Sequence, residues 1–77
     1  MNYPQYRKYK NNKSYFKISS AETFEEIRAT GNKYFLYQFT AKILPDRNFI
    51  SDMLKNHEGN WEIITELEYS TVKINHV

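Results

Sequence analysis

The stretch Lys33-Tyr34-Phe35-Leu36-Tyr37-Gln38-Phe39-Thr40-Ala41-Lys42-Ile43 alternates two sets of side chains. Phe35, Tyr37, Phe39 and Ala41 fall on one side, and Tyr34, Leu36, Gln38, Thr40 and Lys42 on the other. Period-two alternation in an aromatic-rich segment predicts a β-strand over about 34–43. Its first face is continuously apolar and is expected to meet helices. The second face opens with Tyr34 and Leu36, which predicts cover from the C-terminal segment or from a partner. Apolar residues on both faces suit a central position in a sheet.

Downstream, Pro45 disfavours a helical conformation at Leu44, and Asp46 is placed to cap a helix from Arg47 to Asn56. Phe49, Ile50, Met53 and Leu54 form its apolar stripe, opposite Arg47, Asn48, Ser51, Asp52 and Lys55. Glu58-Gly59-Asn60 breaks this helix, and Trp61, Ile63 and Ile64 predict a short strand. Thr65 and Glu68 have the spacing of a capping box, enough to start one helical turn, and from Ser70 onward Thr71, Val72 and Ile74 favour extended backbone.

Upstream, Ser19 and Glu22 show the same capping-box spacing, with Glu25 and Glu26 near the favourable end of a helix dipole and Gly31 suited to closing it. A helix over about 20–30 is therefore expected, with Phe24 and Ile27 as its buried stripe. Before it, Tyr6 to Lys10 and Ser14 to Ile18 predict a hairpin turned at Asn11-Asn12, because asparagine tolerates positive φ. Pro4 suits an edge strand. Phe16 and Ile18 share one face and are expected in the core.

These elements predict an α+β fold, a small two-layer sandwich in which a largely antiparallel sheet carries two short helices on one face, in the order ββαβα followed by a strand or turn. The 77 residues are read as one domain, with a basic aromatic hairpin arm over 1–18 and an acidic α+β body over 19–77. Thirteen aromatic residues are available for its core (seven Tyr, five Phe and one Trp), and self-association is a second route to burial.

Charge is unevenly spread. Residues 1–18 hold five of the eleven Lys and Arg and none of the nine Asp and Glu, within a net charge of +2. No Lys or Arg occurs from Asn56 to Val72, where Glu58, Glu62, Glu66 and Glu68 form an electrostatic complement to the arm. Without cysteine, thiol catalysis, disulfides and cysteine-zinc sites are excluded, and a reducing cytoplasmic location is expected. No segment has the pattern of a signal peptide, and no apolar run approaches the roughly 20 residues of a membrane span.

Catalytic, cofactor and metal sites are expected to be absent. Ser51, Asp52 and His57 match no signature of an activated serine, and neither a P-loop nor a dinucleotide-binding glycine motif occurs. The chain is accordingly read as a small non-enzymatic macromolecular interaction module, of the kind found among bacterial and phage accessory proteins. It would take a protein partner or a second copy, with Tyr34 and Trp61 as contact residues alongside the arm. The alternative is single-stranded nucleic-acid binding, in which Arg7, Lys8, Lys10, Lys13 and Lys17 neutralise phosphates and Tyr6, Tyr9 or Tyr15 stacks on bases.

Overall fold

The computed structural model describes residues 2–56 and 58–77. Its elements run β1 (Gln5–Tyr9), β2 (Ser14–Ile18), β3 (Thr23–Thr30), β4 (Lys33–Thr40), α1 (Leu44–Lys55), β5 (Trp61–Ile63) and α2 (Glu66–His76). The strands form one sheet in the order β4-β3-β2-β1-β5, antiparallel throughout. The α+β class, the antiparallel sheet and the presence of two helices agree with the sequence.

The main departure is the segment expected to be the first helix, which is strand β3. Ser20 Oγ accepts hydrogen bonds from the amides of Glu22 and Thr23 at 3.1 and 3.0 Å, closing a tight turn where a helix cap was expected. Phe24 and Ile27 are both buried, as expected, but on opposite faces of the sheet. A three-residue spacing fits one stripe of a helix and equally a strand covered on both sides, and here β-strand pairing decided between them.

The two helices lie on opposite faces, so the fold has three layers where two were expected. Phe16, Ile18, Phe24 and Trp61 meet Ile50 and Met53 of α1 on one face. On the other, Ile27, Tyr6, Tyr15 and Tyr34 meet Ile64, Tyr69 and Val72 at α2. Pro45 lies in the first turn of α1, where its missing donor costs nothing, so that helix begins at Leu44, earlier than expected. Asn56 ends it in the left-handed conformation, with φ of 51°. The Asn56 side chain clasps the backbone of Trp61, donating to its carbonyl at 2.7 Å and accepting from its amide at 3.1 Å. This clasp fixes where β5 starts.

Thr65 caps α2 as expected, its hydroxyl accepting from the Glu68 amide at 3.1 Å. The helix then runs eleven residues to His76, across the stretch expected to be extended. Burial of Tyr69 and Val72 on the sheet overrides the weak strand preference of Thr71, Val72 and Ile74.

Two strand positions also differ from expectation. β4, expected at the centre, forms one edge of the sheet, whereas β1, expected at the edge, lies between β2 and β5. The 1–18 segment is thus two interior strands of the body, with the turn between them carried by Asn12 at φ 61°.

Candidate interaction surface

β4 pairs with β3 along one side, and among the described residues no strand lies beyond it. The Gly31-Asn32 turn between them has Gly31 at φ +61°, the left-handed region that the first position of a II′ hairpin requires. A two-residue turn makes Thr30 and Lys33 a hydrogen-bonded pair, and alternation then aims the backbone groups of Phe35, Tyr37 and Phe39 at β3. Hydrogen bonds from the Ala41 amide to the Glu22 carbonyl and from the Ala29 amide to the Lys13 carbonyl follow the same alternation. The amides and carbonyls of Tyr34, Leu36, Gln38 and Thr40 therefore point away from the sheet.

The side chains of this strand are equally open. Helix α1 covers the β1–β2 side of its face and leaves Phe35, Tyr37 and Phe39 at 44, 38 and 38% exposure. The expectation that this row meets helices holds at Ala41, which is buried with Ile50 and Met53 of α1, and is corrected for the three rings: of these only Phe39 reaches the core margin, stacking on Phe24 with ring centroids 4.8 Å apart. On the opposite face Tyr34 is half-buried and stacks on His76 at 4.1 Å, so the cover expected from the C-terminal segment is present at that position.

Beside the aromatic row lies a cavity of about 380 Å³ between α1 and the sheet, with Tyr9, Phe24, Phe39 and Phe49 in its walls. Glu26, only 6% exposed, lines it too. Its carboxylate accepts from the Ser14 hydroxyl at 2.7 Å and from two guanidinium nitrogens of Arg28 at 3.2 Å each. The same guanidinium sits 4.6 Å above the Tyr37 ring, so Glu26, Arg28 and Tyr37 form one ordered chain from the interior to the open edge.

The residues picked from the sequence are dispersed. Arg7 is 5% exposed, donating to the carbonyls of Met53 and Leu54 at the end of α1 and to that of Tyr6. Burial lowers its pKa. Lys8 lies 3.8 Å from Glu62 and 3.4 Å from Glu68, so one cation of the basic segment is met by the acidic group as expected. Tyr9 stacks on Trp61, which is buried, its indole nitrogen without a hydrogen-bond partner among the described residues. Tyr6 packs against Tyr69, and Tyr15 and Lys17 are half-buried on the α2 face. Lys10 and Lys13 are exposed in the β1–β2 turn.

That turn and the β3–β4 turn share one end of the sheet, since Lys13 bonds to Ala29 and Thr30 pairs with Lys33. Lys33 and Arg28 thus join Lys10 and Lys13 there. Neither was chosen from the sequence, and nor were Phe35, Tyr37 and Phe39. The alternation that marks the aromatic row was visible, but it does not say whether a helix covers it.

His57 lies outside the described residues. Among the described residues no group of three or more His, Asp or Glu side chains is placed to hold a metal ion, and no helix is long and apolar enough to cross a membrane. No protein-family model matches this chain, and no curated protein and no solved structure matches it.

Proposed function

We propose that this protein is a small non-enzymatic interaction module, of the bacterial or phage accessory type, that binds another protein through the edge and aromatic row of β4. The supporting observation is an eight-residue edge strand whose three aromatic side chains on one face remain more than a third exposed. Natural sheets usually shorten, charge or cover such an edge, because its free amides and carbonyls recruit further strands. An extended segment added there gains main-chain hydrogen bonds, while alternate side chains reach the aromatic row. Absence of cysteine accords with work in a reducing cytoplasm.

Comparative capture tests this reading. Wild-type protein should retain a partner that the Tyr37→Lys variant, folded by circular dichroism, does not. Equal recovery by both would remove β4 from the interface.

Single-stranded nucleic acid is the second reading, favoured by the gathering of Lys10, Lys13 and Lys33 at one end of the sheet next to exposed rings. Fluorescence anisotropy with labelled DNA and RNA oligonucleotides at low and moderate salt tests it. No binding at low salt eliminates it.

A further inference from the structure

We infer that the occupant of the β4 edge is a second copy of this chain, joined about a two-fold axis that passes beside Tyr37. The inference rests on the reading of β4 as the docking edge, and it names the partner and the register.

A two-fold axis perpendicular to the sheet preserves its faces, so each residue of β4 must oppose one on the same side of the partner strand. Of the antiparallel registers this permits, one gives all four outward residues a partner within the strand. It sets Tyr34 against the partner's Thr40 and Leu36 against the partner's Gln38, with the reciprocal pairs generated by symmetry. These residues carry the outward backbone groups, so the pairs are the hydrogen-bonded ones, and every amide and carbonyl on the edge is satisfied. Shifting the register by two residues in either direction sets an outward residue opposite one beyond the strand, Thr40 against the partner's Asn32 or Tyr34 against the partner's Lys42.

In the same register Tyr37 opposes the partner's Tyr37, and Phe35 the partner's Phe39, as non-hydrogen-bonded pairs, where Cα atoms approach to about 4.5 Å and side chains interact most closely. Rings now more than a third exposed would then form one continuous row across the axis. No charged residue occurs from Tyr34 to Ala41, so no like charges meet along the paired stretch. The other edge of the sheet is β5, three residues long, which offers little to a further copy; the assembly closes as a dimer with one ten-stranded sheet.

Sedimentation equilibrium and amide hydrogen exchange on the whole chain test the inference. Wild type should sediment at twice 9.3 kDa. Tyr37→Lys and Tyr37→Asp should each halve that mass, because like charges would face each other across the axis. Mixing the two variants should restore a one-to-one dimer. In wild type the amides of Tyr34, Leu36, Gln38 and Thr40 should be protected despite facing away from β3, and this protection decides the matter even if a variant fails to fold. A wild-type monomer at chain concentrations up to about 1 mM, the weak end of specific association, overturns the inference. So do freely exchanging outward amides, or variants that remain monomeric when mixed. A wild-type monomer that still captures a partner lost by Tyr37→Lys would refute the second copy alone and leave β4 as the docking edge.

Discussion

The Nε of Arg7 donates a hydrogen bond of 3.1 Å to the carbonyl oxygen of Met53, 46 positions further along the chain. Met53 lies in the last turn of α1, whose final carbonyls lack helical partners, and a cation there also opposes the negative end of the helix dipole. The most buried cation of the basic segment therefore ties a helix to an interior strand of the sheet.

Arg7→Met is expected to destabilise the protein by about 1–3 kcal/mol, since buried carbonyls lose a charged donor. Arg7→Lys should recover only part of this, because a single ammonium cannot span the acceptors that a planar guanidinium reaches. Urea unfolding of the three proteins measures both effects.

Phe16 is fully buried, whereas Phe39 is 38% exposed at the edge. Phe16→Ala should cost about 3–5 kcal/mol. Phe39→Ala should cost less, about 1–2 kcal/mol, mainly through its stack on Phe24. Thermal or urea unfolding in dilute protein checks the ordering.

Glu25 accepts from the Tyr69 hydroxyl at 2.7 Å and from the Lys73 ammonium at 2.9 Å. Burial alone would raise its pKa, but these hydrogen bonds and the Lys73 charge outweigh burial and hold it below the ordinary glutamate value. A depressed carboxylate contributes stability that is present above the unfolded pKa and lost as pH falls through the folded one. Tyr69 is shifted the other way, upward, by burial and by Glu25, so its contribution is present below the ordinary tyrosine value and is lost as pH rises past it. Stability measured against pH should fall on both flanks, and Glu25→Gln should flatten the acid flank.

If an oligonucleotide binds, Lys10→Gln, Lys13→Gln and Lys33→Gln should each lower the slope of log affinity against log salt by about 0.7. Lys8→Gln should leave it unchanged, because Lys8 is engaged by Glu62 and Glu68. Anisotropy titrations across a salt series separate the two classes of lysine.

What could be read from the sequence follows from what each signal encodes. Thr65 with Glu68, Asn12 in its turn and the stripe of α1 are local patterns with one low-energy outcome, and each appears where expected. Phe24 and Ile27 were correctly placed in the core, but their helix does not exist. A spacing of three cannot tell one covered face from two, and Ser20 has the same side chain for a turn as for a cap. The surface of β4 was hidden for a related reason: alternation defines which residues share a face, whereas the position of a strand within the sheet depends on pairings between distant segments. Burial of Arg7 was hidden likewise, since its acceptors are carbonyls that carry no sequence signature.

The strand order also governs the course of folding. Strands β1 to β4 each pair with their neighbour in sequence, so turns of a few residues are enough to assemble them. β5 alone returns across most of the chain, setting Trp61 against Tyr9, and that pairing can form only when the long loop between them closes. Contacts among the first four strands are thus expected in the rate-limiting transition state, with β5 and α2 docking afterwards. Weakening that seam with Trp61→Phe should then accelerate unfolding while leaving the folding rate almost untouched, so the lifetime of the native state is set at the β5 seam and its speed of formation at the hairpins.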